Sequence, residues 1–107
     1  LDVELPDGIE DKAYLHLLGT HLPRLMDAVE PEFVFYQAGV DVLATDKLGR
    51  LGLSRAGCAA RDRFVFETCR SNNVPVAVSM GGGYSENISD IIEAHANTYR
   101  QALEIYF

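Results

Sequence analysis

The segment Val74–Ser85, VPVAVSMGGGYS, decides how this chain is read. Five of the seven residues from Val74 to Met80 are apolar and three are valine, and a valine-rich run with little alternation predicts a strand covered on both faces. Three glycines then close it. Glycine costs conformational entropy, so Gly81, Gly82 and Gly83 imply positive φ or a close approach to the backbone. They leave Tyr84 standing at the carboxyl end of the strand.

Upstream, RAGCAARDRFVFETCRSN predicts a helix capped by Ser54 and stopped at Asn72 and Asn73, residues that tolerate a left-handed terminus. Before it, EFVFYQAG is short, apolar and aromatic, as a buried strand is. The two are joined by VDVLATDKLGRLGLS, a loop of about thirteen residues by composition where ~4–6 is usual, and long loops of this kind carry function. At the N-terminal side, Leu15, Leu18, Leu22, Leu25 and Val29 recur at helical steps and predict a helix from Asp11 to Glu30, kinked at Pro23 and ended by Pro31. Downstream, Ile88, Ile91, Ile92, His95, Tyr99, Ala102, Leu103 and Tyr106 mark the expected inner face of a last helix, capped by Ser85 or Asn87. The order helix, strand, loop, helix, strand, loop, helix predicts an α/β domain with parallel strands and right-handed crossovers. Two strands make a poor parallel sheet, so the expectation is a piece of a larger sheet, or one that borrows strands from a partner through an exposed edge.

A chain of 107 residues, 48% apolar and carrying a net charge of -7, has the composition of one ordinary globular core. Nine basic residues scattered among sixteen acids argue against nucleic acid, whose phosphates need clustered Lys and Arg. No apolar run has the length of a membrane helix, and the acidic start LDVELPDGIEDK is unlike a signal peptide. A cytoplasmic setting is the expectation. Cys58 and Cys69, eleven apart on one helix, would lie roughly 16 Å from each other, beyond the ~7 Å limit for a disulfide. They read as small core residues.

In open α/β sheets, sites lie beyond the carboxyl ends of the strands. Asp41 follows the first strand and Tyr84 the second. A carboxylate there can ligate a metal or act as a base, and a phenol can donate to a carbonyl oxygen as negative charge builds on it. Taken singly, each residue has a plain structural reading: a capping aspartate, a half-buried tyrosine. Their pairing on adjacent strand ends is what points to a site. Nucleotide binding is disfavoured: the dinucleotide pattern needs a glycine where Glu86 stands, and no Gly-Lys-Ser or Gly-Lys-Thr occurs. Glu86 and Asp90 would also repel a phosphate from the helix N-terminus. His16 and His21 lie about 140° apart around their helix, too far to share a ligand, and His95 reads as a satisfied core histidine. Asp46, Lys47 and Arg50 read as a solvated or hydrogen-bonded turn.

FVFYQAGVDVLATDKLGRLGLS, RDRFVFE, VPVAVSMGGGYS and EAHANTYR together closely resemble the histone deacetylase family, most of all its bacterial and class IV-like members. The resemblance implies a three-layer αβα fold with a parallel sheet, of the arginase/deacetylase kind, in which residues 1–107 form the C-terminal portion of a single catalytic domain. It implies that Asp41 is one of three zinc ligands, that Tyr84 polarises the scissile acyl carbonyl, and that Gly82 and Gly83 shape the loop beside the substrate channel. It implies zinc-dependent hydrolysis of acetyl-lysine, or of a related acyl-amide such as an acetylpolyamine, by the intact enzyme. The family's Asp-x-His ligands and tandem-histidine base have no counterpart in this sequence, so the expectation is that these residues alone hold no zinc and are inactive. The alternative expectation is a non-catalytic interaction module that pairs through its open sheet edge.

Overall fold

The computed structural model describes all of residues 1–107. Its elements are α1 (Asp11–Val29), β1 (Val34–Gly39), α2 (Arg55–Ser71), β2 (Val76–Gly81) and α3 (Ile88–Tyr106), in the expected order. β1 and β2 pair in parallel, in register from Val34 opposite Val76 to Gly39 opposite Gly81. Both strands therefore end at the same level, and the loops that follow them emerge side by side.

The helix boundaries follow from local chemistry. Ser54 accepts the Gly57 N–H at 3.0 Å and so caps α2, while Asp11, at the start of α1, accepts the Ser54 N–H at 2.8 Å and holds that cap in place. α2 ends as Asn73 turns left-handed at φ 54°. Of the two candidate caps for α3 it is Asn87, whose side chain accepts the Ser89 N–H at 3.1 Å. α1 continues through Pro23 as one helix.

Within residues 1–107 the strands are covered on one face. Val34, Tyr36 and Ala38 alternate inward, whereas Phe35 is 85% exposed and Gln37 is open. Opposite them on the same face, Ala77 and Ser79 are exposed too. The sheet of this chain is covered on one face, by α2, where Tyr36 packs edge-on against Phe66; α3 and α1 both pack on α2. A run that looks continuously apolar is a strand whose second face meets nothing within these residues.

The helix faces are corrected for a related reason. α3 buries Asp90, Ala94 and Thr98, not the bulky stripe, and leaves Ile88, Ile92, Tyr99 and Leu103 largely exposed. Small residues let α3 approach α2 closely. On α1 only Met26 is fully buried; Leu25 and Val29 are exposed. The long loop, by contrast, is built into the core: Val40 and Leu43 cluster with Cys58 and Ala94, and Leu53 is buried beside them.

Candidate active site

Asp41 is held by close-packed backbone. Val40 is buried and its N–H donates to the Gly81 carbonyl at 3.0 Å, tying the exit of β1 to the end of β2. Gly82, at φ +72°, passes so near that a β-carbon on it would lie 2.7 Å from the Asp41 nitrogen. One on Gly49 would lie 1.9 Å from the Asp41 carbonyl oxygen. No real side chain fits either gap, so glycine at 49 and 82 is what lets three stretches of backbone converge on one aspartate. The Asp41 side chain is exposed and takes part in none of the ion pairs of the chain. Gly83, at φ +102°, packs toward Ile91 of α3 instead.

Tyr84 is fixed through its main chain. Its N–H donates to Asp46 Oδ1 at 2.9 Å, and its carbonyl accepts the Lys47 N–H at 3.3 Å. The other oxygen of Asp46 accepts the N–H groups of Leu48 at 3.0 Å and Gly49 at 2.8 Å. Burial pushes the Asp46 carboxyl pKa up, but the N–H groups of Tyr84, Gly49 and Leu48 outweigh it and hold it below its ordinary value. Tyr84 itself is 57% exposed. Thus Asp41 and Tyr84 sit on two loops that touch at Gly82 and at Asp46.

Behind the Asp41 loop lies a buried polar network. Arg61 is 4% exposed and Asp62 is 0% exposed, neighbours on α2. Arg61 Nη1 donates to the Gly39 carbonyl at 2.6 Å, and its Nε and Nη2 donate to Asp62 Oδ1 at 3.0 and 2.9 Å. The Tyr36 hydroxyl donates to the same oxygen and the Thr98 hydroxyl to Asp62 Oδ2 at 2.6 Å. One carboxylate therefore joins β1, α2 and α3. Burial raises the pKa of Tyr36, which stays a neutral donor, and likewise raises that of Tyr14 of α1 beside Arg61. Burial pushes against the Arg61 charge, and the Asp62 carboxylate beside it opposes that push.

The other candidates are placed apart. His16 and His21 lie on α1. His95 is half-buried with Nδ1 enclosed and unpartnered, so it is not the satisfied core histidine its position suggested. Cys58 and Cys69 are buried and unpaired, and burial raises both thiol pKa values. Asp46 is the turn-forming group expected of its segment, but its reach to Tyr84 was not foreseen; nor were Gly49 and the Arg61–Asp62 pair. The Arg61-Asp62-Arg63 run between apolar residues of the helix was the available signal for the last of these, since charges drawn into such a face are buried only when paired.

Catalytic zinc takes three protein donors and an open position. No three His, Cys, Asp or Glu side chains of the chain cluster to hold a metal. Asp41 fits as one oxygen donor of a set: an exposed carboxylate on a rigid backbone, free of ion pairs.

Two parallel strands ending in a carboxylate loop and a glycine-tyrosine loop place a candidate site at the strand ends of an α/β fold. Residues 1–99 match the family model of the histone deacetylase domain, and the chain belongs to that family. It is 42% identical over 106 residues to an uncharacterized protein of Picosynechococcus sp., covering 99% of this chain and 35% of that protein. It is 35% identical over 102 residues to histone deacetylase 2 of Arabidopsis thaliana, covering 94% of this chain and 26% of that one. The crystal structure of the HDA15 HD domain superposes with a TM-score of 0.74 at 23% identity, over 92% of this chain and 27% of that one. That likeness shows the fold: helices and parallel strands arranged as in part of an αβα deacetylase domain. The chain spans about a third of the length of the first of these relatives and about a quarter of the second.

Proposed function

We propose that the protein containing these residues is a zinc-dependent hydrolase of acyl-amides, with acetyl-lysine or an acetylpolyamine as substrate. Asp41 would be one of the residues that hold the zinc. When bound, zinc supplies Lewis-acid polarisation of the amide carbonyl and lowers the pKa of an attacking water. Tyr84 donates its phenolic proton in a hydrogen bond to the carbonyl oxygen as negative charge builds there. Gly82 keeps the two loops in contact, and Gly83 turns the chain between Gly82 and Tyr84 along the substrate channel. The observation that carries the reading is the convergence of the Asp41 and Tyr84 loops at adjacent strand ends, within a chain of the deacetylase family. The residues described here supply one ligand and one oxyanion donor, so hydrolysis belongs to the full-length protein and the separate fragment is inactive. A cytoplasmic location, with no direct nucleic-acid or membrane contact, is part of the proposal. No helix of the chain is long and apolar enough to cross a membrane.

The test is hydrolysis of an acetyl-lysine peptide by the full-length protein loaded with zinc, beside its Tyr84→Phe variant. Loss of one oxyanion donor costs about 2.7–4 kcal/mol, a fall of about 10²-fold or more. An unchanged rate in the variant contradicts the role given to Tyr84. A second reading, a non-catalytic interaction module that pairs through an open sheet edge, is supported by the two-stranded sheet, in which β1 and β2 each have one unpaired edge. Sedimentation of the isolated chain across a concentration series decides it: a single monomeric species removes the second reading.

A further inference from the structure

We infer that Asp46 is a positioning residue for the reaction, holding Tyr84 in register with Asp41; the inference rests on the oxyanion role proposed for Tyr84. Asp46 is 7% exposed, and the ion pairs of the chain leave it without a cation. Its partners are instead main-chain N–H groups on two different loops: Leu48 and Gly49 on the loop that carries Asp41, and Tyr84 on the loop after β2. A buried carboxylate is costly unless its lone pairs are filled, and here filling them requires both loops to be in place. The carboxylate is a clamp between them.

Tyr84 needs such a clamp. It follows Gly82 and Gly83, both at positive φ, which leaves the approach to it conformationally free. The residue is exposed and its hydroxyl takes part in none of the side-chain hydrogen bonds that hold Tyr36 and Tyr106 in place. The point from which the phenol reaches out is therefore set by its own backbone, and Asp46 Oδ1 holds that backbone at the Tyr84 N–H. An oxyanion donor works only within about 2.7–3.1 Å of the charge it meets, and a displacement of about 1 Å can cost 10²-fold. Gly49 serves the same arrangement, since its N–H meets Asp46 while its α-carbon packs on the Asp41 carbonyl.

Asparagine at 46 keeps the shape but puts an NH2 group against N–H donors on one side, so one of the two loops loses its hydrogen bond to position 46. The experiment is a double-mutant cycle in the full-length zinc enzyme on an acetyl-lysine peptide, with the parent, Asp46→Asn, Tyr84→Phe and the double variant. The expected result is a fall in kcat of about tenfold or more for Asp46→Asn, with KM within about twofold. In the Tyr84→Phe background the same substitution changes the rate less than about threefold, because no phenol remains to be placed. Asp46→Glu, which keeps the charge but moves it out by one methylene, gives the same non-additive pattern and covers the case in which Asn prevents folding. Equal fractional losses in both backgrounds mean that Asp46 serves stability alone and overturn the inference, as does an Asp46→Asn enzyme with the parent's kcat. A Tyr84→Phe variant as fast as the parent removes the Tyr84 reading and this inference together, and it is recognised from that single variant.

Discussion

Replacing Asp62 by asparagine should be among the most damaging single changes outside the strand ends. The carboxylate has no solvent exposure and receives two hydrogen bonds from Arg61, one from Tyr36 and one from Thr98. Asparagine matches its shape and keeps one amide oxygen toward Arg61, but it removes the charge, which leaves the Arg61 guanidinium buried beside the Gly39 carbonyl without a counter-ion. Breaking a buried pair in this way costs about 3–5 kcal/mol, a large share of the ~5–15 kcal/mol that holds a domain folded. Thr98→Val removes a single bond to a charged group and should cost about 1.5–3 kcal/mol. Urea unfolding of the full-length protein, followed by circular dichroism, should rank Asp62→Asn above Thr98→Val. The ranking should persist in 1 M salt, since a buried pair is little screened. A loss below about 1 kcal/mol for Asp62→Asn, or a smaller loss than for Thr98→Val, refutes the view that this network carries the joint between β1, α2 and α3.

Alanine at Gly82 should disturb the site more than alanine at Gly83: it would sit 2.7 Å from the Asp41 nitrogen, against 3.1 Å from the flexible Ile91 side chain. Positive φ alone costs a non-glycine residue about 1–2 kcal/mol at either position, so the difference appears in zinc content of the full-length protein, which falls for Gly82→Ala and holds for Gly83→Ala. The Asp46 carboxyl titrates in the folded state below its ordinary 3.8. Its contribution to stability is thus complete above that value and is lost as the pH falls through the lower folded one, and Asp46→Asn should flatten the acid limb of stability against pH below about 4. Cys58 and Cys69, buried with raised thiol pKa values, should resist alkylation at pH 8 in the native protein and react once urea is added; rapid native labelling of either would contradict the packing described.

Local chemistry made much of this legible in the sequence. Ser54, Asn87 and Asn73 mark helix ends because capping and left-handed turns are short-range requirements. The parallel strands followed from their valine and aromatic content and their spacing around a helix. What the residue types alone do not decide depends on neighbours. Phe35 looks like core because its residue type belongs in a core, yet nothing within these residues covers its face. The stripe Ile88, Ile92, Tyr99 and Leu103 misled in the same way, since α2 selects the small face through Ala94 and Thr98. Asp41 and Tyr84 stood out by placement and family resemblance. Asp46, Gly49 and Arg61 did not, because each acts on another residue's backbone, and such contacts leave no periodicity to read.

The most direct measurement is the zinc content and acetyl-lysine peptide turnover of the full-length protein, taken beside Asp41→Ala. The account predicts one zinc per chain and hydrolysis in the parent, and loss of both in the variant. A variant that keeps its zinc and its rate would contradict the assignment of the strand-end carboxylate as a metal ligand.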